Sequence, residues 1–261
     1  MHIEYVLPSA RRSFFFLQKF IESYTHFSLL TTSLTNTRLG TVHQVDTASP
    51  YLQTMVSIAF IGIGSVGSAL ANRLQLLGHM VTIGARNPAS ESVQKALSLN
   101  PRLLVADPKA AAESAEIVFL ATPFPNAVDA LKDLNLKGKC VVDCTNPVGP
   151  GLTHGLGNTI SGSETIQKAI PDAHVVKAFT IYGYENFQNS TFPEGMPTML
   201  YCGDNQDAKD KLAPIIAELD FEPVDCGGLN SALHLEHITL LWIKMCRVQG
   251  RPNFTFKTLR R

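Results

Sequence analysis

No excess of either charge marks this chain: 22 Lys and Arg balance 22 Asp and Glu, and the pI is about 7.1. Nucleic acids and anionic membrane surfaces usually select a basic excess, so neither is an expected partner. No run of about 18 apolar residues exists, so no membrane-spanning helix is expected. The richest early stretch, Ser13 to Leu17, soon meets Lys19 and Glu22. None of the five cysteines forms a CxxC pair. Cys140 and Cys144 stand four apart on a predicted strand, roughly 13 Å apart, too far for a disulfide or a shared metal. The five are expected to be reduced, buried thiols in a reducing, cytoplasmic setting. No metal-ligand spacing, Ser/His/Asp motif or proton relay stands out. His234 and His237 lack a carboxylate or cysteine motif beside them and read as helix-surface or core residues, while His154 and His174 are isolated. Hydrophobic residues at 45% and charged residues at 17% suit an ordinary packed core.

Residues 1–54 differ from the rest, being rich in Ser, Thr and aromatics and without glycine before Gly40. Three readings compete: a poorly ordered extension, a start placed too early (Met55 immediately precedes the first convincing strand), and a targeting peptide suggested by Arg11 and Arg12. From Met55 the pattern is a βα alternation. Val56–Ile61 has the length of a buried strand, and Val66, Leu70, Leu74 and Leu77 then recur at helical spacing over Ser65–Leu77. Strands follow at Met80–Ile83, Leu103–Val105, Ile117–Ala121 and Cys140–Asp143, with helices predicted over 89–99 and 126–134. Asp107-Pro108 reads as N-cap and N1 of another helix. Later strands are Val175–Ala178, Met199–Cys202 and Pro223–Cys226, with helices over Asn205–Leu219 and Leu229–Val248. The expected fold is α/β: a Rossmann-type doubly wound parallel sheet over 55–172, then a small C-terminal α/β domain over 173–261.

Gly62-Ile63-Gly64-Ser65-Val66-Gly67 matches G-x-G-x-x-G in the context that gives the motif meaning, after a strand and opening a helix. The first glycine permits the tight turn, the second lets backbone approach a pyrophosphate, and the third lets helix and strand pack closely. The helix N-terminus offers free N–H groups and partial positive charge to the phosphates. An NAD site usually places Asp or Glu at the end of the second strand. Here that position reads Gly84-Ala85-Arg86-Asn87, with no acid. A carboxylate would repel a 2′-phosphate, whereas a guanidinium can bond it, so Arg86 points to NADP.

The ligand of such a sheet lies outside the carboxyl ends of its strands. The loops there are Thr122-Pro123-Phe124-Pro125-Asn126, Cys144-Thr145-Asn146-Pro147-Val148 and Phe179-Thr180-Ile181-Tyr182. The first two should flank the nicotinamide half, with prolines fixing the walls and Phe124 packing on a ring. Alcohol and hydroxyacid dehydrogenases generally need an acid or base beside the hydride path. None is evident, which favours a flavin-like acceptor ring.

From Met55 onward the chain resembles the NADPH-dependent coenzyme F420 reductase family. The stretches that carry the likeness are IGIGSVGSALANRL, VTIGARNP, VFLATPF, VVDCTNPVG, VVKAFTIYGYENF, MLYCGDN and the closing LLWIKMCRVQGRPNFTFKTLRR, in the family's order. The oxidoreductase domain of the ferric reductases called six-transmembrane epithelial antigens is similar. The resemblance implies a Rossmann domain followed by a small domain that closes the cleft and helps form a homodimer. It implies NADP contacts at Gly62, Gly64, Ser65, Val66, Arg86, Thr122, Phe124 and Asn126, with Ile63, Gly67, Ala85, Pro123 and Pro147 completing the cofactor surface. The acceptor, coenzyme F420 or a flavin, would stack near Asn146, Pro147 and Thr180, with Asn146 and Thr180 as the catalytic pair. Hydride would pass directly between the rings, the protein supplying orientation.

The chain departs from the family pattern at Ile63 and Ala85, where hydroxyl residues are common, and at Ser90, where a basic residue is common. Discrimination for NADP is expected to weaken by about 1–3 kcal/mol for a lost charge-assisted bond. Thr180 stands where His or Asn is usual. Two other functions compete: a pyrroline-5-carboxylate or β-hydroxyacid-type reductase, which normally adds a larger helical domain, and a non-catalytic NADPH-binding sensor.

Overall fold

The computed structural model describes residues 55–261, apart from residue 252. The readings of residues 1–54 fall outside these. The elements, in chain order, are β1 (Ser57–Ile61), α1 (Ser65–Leu76), β2 (Met80–Gly84), α2 (Glu91–Leu99), β3 (Leu104–Ala106), α3 (Pro108–Ser114), β4 (Ile117–Leu120), α4 (Ala127–Leu131), β5 (Cys140–Asp143), α5 (Gly162–Ala169), β6 (His174–Lys177), α6 (Tyr184–Gln188), β7 (Thr198–Gly203), α7 (Gln206–Glu218), β8 (Glu222–Asp225) and α8 (Ala232–Ile243). They form one eight-stranded sheet in the order β3-β2-β1-β4-β5-β6-β7-β8. All neighbouring strands run parallel except β6 and β7.

Strand side chains alternate between the two faces, and each face has its own core. Ile58, Phe60, Phe119 and Val142 go to one, and Ala59, Ile61, Val118 and Val141 to the other. The central strands β4 and β5 are buried along their whole length, β4 as an unbroken apolar run and β5 as one closed by Asp143. Phe60 and Phe119 stack with centroids 4.8 Å apart. Their burial contributes about 1.5–3 kcal/mol each.

Asp107 caps α3 as its spacing predicts, accepting from the Lys109 N–H at 2.9 Å, with Pro108 at the first helical position. The helix predicted over 126–134 is shorter, a 3₁₀ turn at Phe124–Asn126 followed by α4. The long C-terminal helix resolves into a 3₁₀ turn (Leu229–Ser231), α8 and a π turn (Lys244–Val248). The boundary expected at residue 172 falls just before β6, which pairs in register with β5, so the residues beyond it extend the same sheet. Two helices escaped the sequence reading. One of them, α5, carries a capping box, Ser161 with Glu164, at the S-x-x-E spacing that announces it. The five-residue α6 is too short to show a period.

Candidate active site

The C-terminal ends of β1, β2, β4, β5 and β6 face one edge of the sheet, and the predicted residues collect there. Gly62 has φ of +100°, and a Cβ on it would stand 2.6 Å from the Ala121 carbonyl carbon and the Thr122 nitrogen. Only glycine fits that turn. A Cβ on Gly67 would lie 2.3 Å from the Gly62 carbonyl oxygen, so α1 packs directly on the turn. At Gly64 a Cβ would meet nothing within 4 Å. That space lies at the N-terminus of α1, which has no side-chain cap and no acid in its first turn. Its free N–H groups and positive dipole end suit a pyrophosphate.

A cleft of about 480 Å³ lies on one side of the turn, lined by Gly62, Gly84, Arg86, Pro108, Thr122, Asn126 and Asp129. Arg86 is exposed at its rim and donates from Nη2 to the Asp129 carbonyl at 3.2 Å. Thr122 Oγ1 is buried there without a hydrogen-bond partner, a polar atom available to a ligand. These features fit a dinucleotide. A second opening, of about 400 Å³, flanks Ile63, Gly64, Ser65, Ser92 and Lys95.

Other predicted positions sit deeper. Ile63 and Gly67 are buried, and Val66 and Ala85 pack against the core. Pro123 is exposed, while the Phe124 ring lies against Gly162 at the start of α5. Asn146 and Thr180 are brought together. Thr180 Oγ1 donates to Asn146 Oδ1, and Asn146 Nδ2 donates to the Thr180 carbonyl at 3.3 Å. Pro147 is buried beside Asn146. Thr180 follows Phe179, which is fully buried at φ +54°. A bulky residue in that region is strained by about 1–3 kcal/mol and persists only where its surroundings impose it. Here Phe119 and Phe187 hold the Phe179 ring on two sides, each at a centroid distance of 5.8 Å.

Directly beneath this pair lies a buried ionic cluster absent from the sequence reading. Asp143 ends β5 and Lys177 ends β6, and the two are register partners. Lys177 Nζ lies 3.0 Å from Asp143 Oδ2 and 3.2 Å from Glu236 Oε1. Asp143 and Lys177 are fully buried and Glu236 is 1% exposed. Burial works to lower the Lys177 pKa, but the two carboxylates outweigh it and the value rises, so the ammonium is kept. His154, expected to be isolated, places Nε2 2.7 Å from Glu236 Oε2. The Leu156 N–H donates to His154 Nδ1 at 3.3 Å, so the ring is the Nε2–H tautomer, donating to Glu236. The available signal was a pair of opposite charges closing two adjacent apolar strands, VVD and VVK.

With this geometry in view, relatives are informative. Residues 57–147 match the family model described as NADP oxidoreductase, coenzyme F420-dependent. The F420-dependent NADP reductase of Methanothermobacter marburgensis is 30% identical over 200 residues, covering 70% of this chain and 89% of that protein. The chain belongs to this family. It is an NADP-dependent oxidoreductase. A crystal structure from Arthrobacter sp. FB24, assigned as an F420-dependent NADP reductase, superposes with a TM-score of 0.72 at 31% identity, covering 78% of this chain and all of that one. The metalloreductase STEAP3 of Rattus norvegicus is 31% identical over 186 residues, 70% of this chain, although the match spans 36% of that longer protein. Among the described residues no helix is long and apolar enough to cross a membrane.

Proposed function

We propose that this chain transfers a hydride between NADP(H) and a deazaflavin or flavin ring, the rings meeting beside Asn146, Pro147 and Thr180. The observation that carries this reading is the Asn146–Thr180 pair at the ends of β5 and β6, two neutral side chains bonded to each other. The charged groups beneath them are buried and already partnered. Such an edge orients a ring but presents no acid or base to an alcohol or ketone, which suits an acceptor that takes hydride directly. NADPH, when bound, supplies the hydride. Arg86 holds the 2′-phosphate, the N-terminus of α1 and the space at Gly64 hold the pyrophosphate, and Thr122 Oγ1 donates to the dinucleotide. The Asn146–Thr180 pair sets the plane in which the reacting ring lies. A homodimer, with residues 173–261 closing the cleft, and a reducing compartment complete the proposal.

The likeness to STEAP3 favours a second reading, reduction of ferric iron through free flavin. One experiment separates the two: oxidation of NADPH by the purified protein with coenzyme F420, with FAD or FMN, and with ferric citrate plus FMN, repeated with NADH. Fast reduction of F420 with NADPH preferred supports the first reading. Activity with free flavin and silence toward F420 supports the second. Tight NADPH binding with no turnover of any acceptor overturns both and leaves a sensor.

A further inference from the structure

We infer that Lys177, Glu236 and Thr239 are positioning residues for the Asn146–Thr180 pair, which is anchored from both sides by one buried ionic cluster. The inference rests on the reading that this pair lies at the reacting end of the site.

The anchor on the Asn146 side is Thr145. Asp143 Oδ1 accepts from the Thr145 N–H at 2.8 Å and from its hydroxyl at 2.7 Å, and Lys177 Nζ donates to the Thr145 carbonyl. Every polar group of the residue preceding Asn146 is therefore tied to the cluster. The anchor on the Thr180 side is α8. Glu236 accepts from Lys177, from His154 and, at 2.9 Å, from the Gly162 N–H. Three residues on, along the same helix face, Thr239 Oγ1 lies 3.0 Å from the Thr180 carbonyl as its donor and 3.3 Å from the Thr180 hydroxyl. The ammonium thus links the strand-end loop and the helix.

A cluster of this kind costs more desolvation than apolar residues of the same volume, and removal of one partner leaves a buried charge exposed to that cost. What it provides is direction: each bond fixes an angle that an apolar contact leaves free.

The test uses the whole chain with Thr239→Val, Glu236→Gln and, as the conservative counterpart, Thr239→Ser. Thr239→Val keeps the shape and leaves the ions paired, removing the hydroxyl's contacts with Thr180 and its bond to the Leu235 carbonyl one turn back in α8. Three quantities are read: the melting temperature, the NADPH Kd, and kcat with whichever acceptor the wild type reduces. A fourth, the emission enhancement of bound NADPH, reports how tightly the nicotinamide is held and needs no acceptor. The expected result for Thr239→Val is wild-type melting and Kd, kcat lower by about 10-fold or more, and a reduced emission enhancement. Thr239→Ser restores both. Glu236→Gln lowers kcat and the emission enhancement in the same way and, because it takes a buried carboxylate from Lys177, lowers the melting temperature as well. In kcat the double variant falls no further than the worse single one, because both act through one pair. A folded Thr239→Val with wild-type emission and kcat overturns the inference, as does a Thr239→Ser that behaves like Val. Absence of turnover in the wild type defeats the functional reading instead, and the emission comparison then decides the inference.

Discussion

Arg86 stands at the end of β2, exposed, with one nitrogen on the Asp129 carbonyl across the cleft. On the proposed reading its other donors meet the 2′-phosphate of an adenosine lying in that cleft. Arg86→Ala should weaken NADPH binding by about 10- to 100-fold, the worth of one charge-assisted contact, and leave NADH nearly unchanged. Fluorescence titration with both cofactors checks this, and equal losses would place the phosphate elsewhere. Arg86 was legible because its meaning lies in a local order, strand then arginine with no acid. Ile63 was legible only in part: as a departure from the family it suggests a lost hydroxyl, yet its side chain is buried in the core. His154 was illegible, because its partner Glu236 is 82 residues away.

Among the elements, the glycine turn separates shape from binding. Gly64 already has an ordinary extended backbone, φ −70° and ψ −161°, and open space where a Cβ would go. Gly64→Ala is expected to fold with an unchanged melting temperature yet lose most NADPH affinity, because the new methyl occupies the place of the pyrophosphate. Gly67→Ala forces a Cβ to 2.3 Å from the Gly62 carbonyl, so melting and binding fall together. Paired thermal unfolding and NADPH titration of the two variants distinguish the cases, and parallel behaviour would contradict the assignment. The turn could be read from sequence since all six of its residues are contiguous. Among the helices, α5 had a readable start in Ser161 and Glu164, while the end of α4 and the subdivision of the C-terminal helix depend on what they pack against.

For the molecule as a whole, a set of buried weak acids together with the Lys177 ammonium sets a limit at high pH. All five cysteines are free thiols, and four of them are buried. Burial pushes Cys140 and Cys202 from near 9.0 up to about 12, raises Cys226 and Tyr182 as well, and the Asp143 and Glu236 carboxylates raise Lys177. A pKa raised on folding gives stability that is complete below the unfolded value and lost as pH rises through the folded one. The melting temperature should therefore hold to about pH 9 and then fall, each raised thiol contributing a slope of about 1.4 kcal/mol per pH unit. Replacing Cys140 and Cys202 with Ala should flatten the limb between pH 9 and 12 in calorimetry. A wild-type midpoint constant to pH 11 would contradict it.

What the sequence by itself determined is what local order can encode: the βα rhythm, the glycine turn, the cap at Asp107, the arginine that replaces an acid, and through their succession the family. These depend on neighbours within a few residues, where backbone sterics and helix ends act. Only the tertiary structure decided that Asn146 meets Thr180, that Asp143 and Lys177 close adjacent strands as a pair, and that Glu236 and His154 join them beneath the site. Those contacts cross 34 to 82 residues of chain. They come about because parallel pairing brings the ends of β5 and β6 to one edge and α8 then packs across it. Burial afterwards requires every charge caught there to find its partner.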